Sequence, residues 1–259
     1  MFEAGYGAAY IAESMGKGVM PDTLDAFMGQ RYRWVYGAMQ IMKHHAASIF
    51  FGRSRLSWAQ RYQFLVGWLP WISDGLGMIV TYMALIWTGL MWASPQTFDV
   101  PLPALSAAAL ALFFAKTMKT LLLYPQKVRS GLKGAVMASI AGLSLTHAVG
   151  KAVISGLLTK SKPFLRTPKC EDQALLSQAL RKVWQETTLF GFCVLALLSL
   201  GASGSDDPSV RLWMVMVGVQ SLPYLATIIT AAISAMSYKS LRAAPMRAPQ
   251  EEPALPKAA

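Results

Sequence analysis

Charge is scarce in this chain. Asp, Glu, Lys and Arg make up 14% of its 259 residues, where soluble domains carry roughly 25%. Hydrophobic residues make up 54%, and the mean hydropathy is +0.38. These values exclude a disordered chain and a collagen, and they argue against a single soluble domain. Cysteine is nearly absent. Cys170 and Cys193 form no CxxC pair, and Cys193 lies inside an apolar run, so neither a disulfide framework nor a cysteine zinc site is available. Of three histidines, His44 and His45 are adjacent and cannot face one ligand from a helix, and His147 stands alone. No metal-ligand spacing results, and interfacial solvation is the expected role of all three. The opening MFEAGYGAAY lacks a basic stretch followed by an apolar core and does not read as a signal peptide. Acids are the scarcer charge, 13 against 24 bases, for a net charge of +11. The bases lie between apolar runs, which suits anionic headgroups and phosphorylated substrates; no nucleic-acid partner is expected.

What is abundant is apolar sequence in long runs. Four stretches, about 74–93, 103–124, 186–203 and 210–236, are near the ~20 residues needed to cross a bilayer. Lys116 and Lys119, near the end of the second, are expected to snorkel to the interface. Trp68, Trp71, Trp87, Trp92 and Trp213 fall near span ends, as an aromatic belt would. Before the spans, residues 21–50 read as a helix, with Asp22 as N-cap and Asp25 in the first turn. Residues 51–61 read as a basic, aromatic connector at a headgroup interface. AlaAlaTyrIleAla at 8–12 has the look of one strand.

The segment 134–158 reads as amphipathic. Ser144, His147, Lys151 and Ser155 share one helical face, and Leu145, Val149, Val153 and Leu157 the other. Charge argues that it lies flat. Lys127, Arg129 and Lys133 precede it, and Lys160, Lys162, Arg166 and Lys169 follow it. The loops 94–102 and 204–209 hold no Lys or Arg. The positive-inside rule therefore favours four spans with both termini cytoplasmic, and the inner (plasma) membrane is the expected location. The tail 241–259 is rich in Pro, Ala and charge and reads as disordered.

Two segments carry chemistry. In MetProAspThrLeuAspAlaPheMetGlyGlnArgTyrArgTrp, residues 20–34, helical spacing puts Gln30, Arg33 and Trp34 on one face. An arginine fork binds phosphate bidentately, and an indole offers a flat surface for a sugar ring, so the trio suits a phosphorylated sugar. Arg and Trp also anchor helices at interfaces, which is the plainer reading. In LysProPheLeuArgThrProLys, 162–169, two prolines forbid a regular helix. Such a basic loop either covers a phosphorylated ligand or merely sets topology. Asp74 after LeuProTrpIleSer is a lone acid at a membrane entry, equally a functional group or a cap.

In this order, the segments resemble the membrane-embedded family-2 glycosyltransferases, the group that contains bacterial cellulose synthase. Gln30, Arg33 and Trp34 match that family's Q-x-x-R-W motif. Phe164, Thr167 and Lys169 match its F-x-V-T-x-K gating loop, with Arg166 where cellulose synthase has Val. Residues 62–75, TyrGlnPheLeuValGlyTrpLeuProTrpIleSerAspGly, look more like bacterial β-(1,3)- or cyclic β-glucan synthases.

The resemblance implies inverting transfer of hexosyl units from a UDP-sugar, UDP-glucose above all, to a growing β-glucan. In that family a cytoplasmic nucleotide-sugar domain precedes the Q-x-x-R-W helix. It holds the metal-binding aspartates and a Glu-Asp pair whose Asp is the general base. By resemblance, GluAlaGlyTyr at 3–6 falls just past that pair. The chain is thus expected to depend on a missing N-terminal catalytic domain, to hold no catalytic residue and to be inactive alone. Mg²⁺ or Mn²⁺ would serve the complete enzyme and not bind this chain by itself. No D-x-D occurs in it, and Asp206 and Asp207 fall in an outward loop.

The expected fold is mainly α: multi-pass membrane helices with cytoplasmic interfacial helices, preceded by a remnant of a nucleotide-sugar α/β domain. The expected divisions are 1–20, the end of that domain; 21–61, the Q-x-x-R-W helix and connector; 62–240, a transmembrane channel region with the gating-like loop 160–170; and the tail. The rivals are a non-enzymatic membrane protein, such as a scaffold, transporter or inactive remnant, and a synthase of another polysaccharide such as mannan.

Overall fold

The computed structural model describes residues 2–11, 23–51, 55–128, 131–160 and 176–243. Among them there is no strand: Ala8–Ile11, expected as one, are irregular. Phe164, Arg166, Thr167 and Lys169, and the tail beyond Ala243, lie outside the described residues.

Helix α1 spans Leu24–His44, and its N-cap is Thr23 rather than Asp22. Thr23 is extended, and its hydroxyl accepts from the Ala26 N–H at 3.2 Å, satisfying one of the helix's orphan donors. The chain turns at His45 into the short α2, Ala46–Phe50. Helix α3, Trp58–Ala93, begins well before the expected span, because Ser57 and Gln60 form a reciprocal capping box. The connector is correspondingly shorter. Pro70 lies inside α3, where membrane helices tolerate it. Helix α4, Pro103–Leu123, continues as one wide turn through Val128.

The segment expected as one flat helix is two. Helix α5, Gly131–Ser144, and α6, Thr146–Leu158, meet at a 44° bend. Both faces of α6 are buried: His147 on the polar side, Val149 and Val153 on the apolar side, with only Leu157 and Leu158 markedly exposed. Then come α7, Leu176–Lys182; α8, Trp184–Ala202; and α9, Pro208–Ala243, which carries helix into the first residues of the expected tail.

The result is a mainly α, multi-pass membrane architecture. Four helical stretches are long and apolar enough to cross a bilayer: Trp58–Ala93, Pro103–Lys127, Trp184–Ala202 and Pro208–Met236. The bent pair would be a fifth if it crossed as one. Two apolar cores hold the frame. One joins α3, α4, α8 and α9 around Ala84, Leu189, Met216 and Val217. The other joins α1, α2, the start of α3 and α6 around Val35, Met39, Trp68 and Val149. Trp68 and Trp213 therefore belong to the cores and not to an aromatic belt; Trp213 donates its indole N–H to Thr88 at 2.9 Å. Trp92 is exposed as a belt residue would be.

Candidate functional site

The site is built by the way α1 is fixed to α6. Val35 and Met39 are fully buried on the packed side of α1. Gly156 allows the approach: a Cβ there would lie 2.6 Å from Met39 Cβ and 3.2 Å from the Tyr36 carbonyl oxygen. The last carbonyls of α6 lack partners within their own helix, and α1 supplies them. The Gln40 amide donates to the carbonyls of Gly156 and Thr159 at 2.8 and 2.9 Å. Lys43 Nζ donates to those of Leu157 and Thr159 at 3.1 and 2.6 Å, a cation placed where the helix dipole favours one. The Tyr36 and Thr159 hydroxyls meet at 2.8 Å.

This clasp sets the rotation of α1. With 100° between successive residues, Gln30, Arg33 and Trp34 fall together on the side away from Met39. Gln30 and Arg33 are half-buried, and Trp34 is 52% exposed. The structure thus brings together on one helical face the three residues expected there. It adds a fourth: the Arg31 guanidinium lies 4.7 Å from the Trp34 ring centroid and 5.0 Å from that of Phe27. The spacing of Phe27, Arg31 and Trp34 at i, i+4 and i+7 is the sequence signal that would have found it.

Beside this helix opens a polar cavity of about 460 Å³, whose walls include Asp25 and Tyr32 of α1, Lys151 and Ser155 of α6, Lys182 and Glu186. Its charged groups all have polar partners. Asp25 meets Lys182 at 3.1 Å, and Lys151 donates to the Gln185 side chain at 2.6 Å. Glu186 meets His147 Nδ1 at 2.6 Å, both side chains 2% exposed. The other ring nitrogen of His147 is 3.5 Å from the Tyr82 hydroxyl. His147 is therefore a buried, paired group and not an interfacial one. The reason is local: Glu186 opens α8 directly opposite it. Sequence reasoning missed Glu186, although an acid at the head of an apolar run is a recognisable signal.

Deeper in the frame, Lys116 of α4 pairs with Asp74 of α3 and lies 3.4 Å from the Thr146 hydroxyl. Lys116 does not snorkel, because a carboxylate is within reach. Asp74 does not cap α3, because the helix has already run sixteen residues before it. Lys119 is exposed. Of the remaining histidines, His44 is exposed and His45 meets Glu3 at 3.0 Å. The Glu3 carboxyl is held below its ordinary range, first by the Ser48 hydroxyl and then by His45.

A metal finds no fit here. Among the described residues, no cluster of three or more His, Cys, Asp or Glu is arranged to hold one, and no metal-dependent step is derived from this chain.

Residues 1–116 match the family described as glycosyl transferase family group 2. The match covers α1, α3 and α4 as far as Lys116. No curated protein and no solved structure matches the chain. The chain is thus family-2 glycosyltransferase-like over that segment, on a mainly α, multi-pass membrane frame.

Proposed function

We propose that the chain is the acceptor-binding and transmembrane portion of a glycosyltransferase that moves hexosyl units from a UDP-sugar, UDP-glucose first among them, to a growing β-glucan. The observation that carries this reading is the joint face of Gln30, Arg33 and Trp34, which lies within the matched segment 1–116 and is held in place by the clasp of α1 to α6. Trp34 stacks on the acceptor sugar. Arg33 offers a planar fork to the diphosphate as it gains charge on leaving, an interaction stronger in the transition state than before it. Gln30 supplies an amide for sugar hydroxyls beside them. The general base and any Mg²⁺ or Mn²⁺ belong to a nucleotide-sugar domain outside these residues. Phe164, Arg166, Thr167 and Lys169 join the reading by their resemblance to the gating motif alone.

The test uses membranes of cells expressing the gene within its native flanking sequence, supplied with radiolabelled UDP-glucose and Mg²⁺ or Mn²⁺. The expected result is β-glucanase-sensitive polymer that is lost in Trp34→Ala. No Trp34-dependent incorporation from UDP-glucose, another UDP-sugar or GDP-mannose would overturn the reading.

A second reading, a transporter, draws on one feature. Two ionisable pairs, Asp74–Lys116 and His147–Glu186, flank the break between α5 and α6, and such groups within membrane helices are costly unless used. Proteoliposomes of the purified chain that accumulate a solute or proton with no nucleotide-sugar present would favour it.

A further inference from the structure

We propose that Arg31 is a positioning residue: it splints the Trp34 indole so that one ring face alone is offered to a pyranose. The proposal rests on the reading of Trp34 as the acceptor-sugar platform. Phe27, Arg31 and Trp34 form one stripe along α1, and the guanidinium sits between the two rings, 5.0 Å and 4.7 Å from their centroids. Both distances are inside the ~6 Å over which a cation is attracted to an aromatic face. Arg31 Nε is buried and makes no hydrogen bond among the described residues. The rings, not a carboxylate or a carbonyl at Nε, hold that end of the side chain.

Helical side chains lean toward the N-terminus, which carries the indole of Trp34 back over the turn that bears Arg31. One face of the ring is therefore covered by the guanidinium. The indole is nevertheless 52% exposed, so the remaining surface is open. A ring free to turn would meet a sugar in several rotamers, and apparent affinity falls by the fraction of time spent in the competent one. Fixing the indole beforehand removes that loss. The chemistry selected is a neutral ring with a flat C–H face, as β-linked pyranoses present. A planar but anionic ligand would instead be drawn to the guanidinium edge.

The experiment labels the full chain, in lipid nanodiscs, with 5-fluorotryptophan and follows fluorine resonances. The Trp34 resonance is identified by its disappearance in Trp34→Phe. Without ligand, Arg31→Ala should shift and broaden that resonance, Arg31→Lys should restore part of the wild-type position, and the remaining tryptophan resonances should stay in place. A neutral β-glucan oligosaccharide should then shift the wild-type Trp34 resonance. It should bind Arg31→Ala about two- to fivefold more weakly, the span set by an exposed cation–π contact. An unchanged ligand-free Trp34 resonance in Arg31→Ala sinks the splint. A ligand-free change in Arg31→Ala, with no oligosaccharide response in the wild type, overturns the acceptor reading and with it the pyranose half of the proposal. If Arg31→Ala disturbs the other tryptophans, the comparison passes to Phe27→Leu. That variant keeps the charge and removes one ring, and it should loosen Trp34 in the same direction.

Discussion

Trp34 stands half-exposed on a helix whose opposite side is locked by Val35, Met39 and Gln40, so its removal should leave the packing of α1 intact. Trp34→Ala in the complete enzyme is expected to weaken acceptor engagement about fivefold to 150-fold. The figure follows if a stacked sugar is worth on the order of 1–3 kcal/mol, as a stacked base is. Arg33→Lys should lower turnover more than acceptor affinity, because an ammonium cannot supply the planar fork. Activity and membrane yield measured together decide the matter; full activity at normal yield in both variants would reduce this face to an interfacial anchor. A different prediction concerns His147 and Glu186, each 2% exposed. Taking away one partner of a buried pair leaves the other unsatisfied, at about 3–5 kcal/mol for a charged pair. Glu186→Leu should therefore lower the melting temperature in detergent steeply. Adding His147→Leu should recover part of the loss, since groups in contact are not additive. A double variant as poor as the sum of the two singles would show that they do not act as a pair.

At the scale of elements, α6 is the part on which the others close, and glycine makes this possible at Gly156. Its Cβ position lies against Met39 and the backbone of Tyr36, so Gly156→Ala should push α1 off by forcing side-chain and backbone shifts, at about 1–3 kcal/mol. Gly77, with nothing within 4 Å of its Cβ position, is the control: Gly77→Ala should be harmless. Protease cleavage within α1, compared between the two variants, reads the difference directly. How far these elements are legible in sequence depends on how local their causes are. The four spans can be read from runs of about twenty apolar residues, and the shared face of Gln30, Arg33 and Trp34 from helical spacing. The early start of α3 is masked by Arg61, a cation that looks like part of a connector. In the fold it is 5% exposed, donating to the Leu56 carbonyl at 3.2 Å and lying 5.3 Å from the Trp58 ring. The Ser57–Gln60 capping box was the countersign. The break at Leu145 carries no proline, and the apolar period runs on across it, so nothing local announces it. The pairings of Asp74 with Lys116 and His147 with Glu186 span 42 and 39 residues, and no spacing rule links partners so far apart.

For the whole molecule, the side of the membrane on which each loop lies turns on the bent pair. Its two arms of 14 and 13 residues are each about 20 Å long, so together they are long enough to cross, and length alone does not choose. Connectivity does. Taken as consecutive spans, α3 and α4, both long and apolar enough to cross, place the start of α3 and the end of α4 on one side. Helix α1, which is not among the helices apolar enough to cross, joins the start of α3 through α2 and shares that side. The end of α6 is clasped to α1 by Gln40 and Lys43, and α5 starts three residues after the turn that ends α4. Both ends of the bent pair are therefore drawn to the same surface. A 44° bend lets them remain there while Leu145 dips into the bundle, where Ser144 O accepts from the Thr227 hydroxyl at 2.9 Å. Charge agrees: a crossing would carry Lys160, Lys162, Arg166 and Lys169 to the side opposite Lys127, against the positive-inside rule. Reporter fusions after Phe98, Gln126, Lys160 and Asp206 should thus report outside, cytoplasmic, cytoplasmic and outside. A fusion at Lys160 that reports the opposite side from Gln126 would mean that α5 and α6 cross as a fifth span, and that the clasp to α1 does not hold both at one surface.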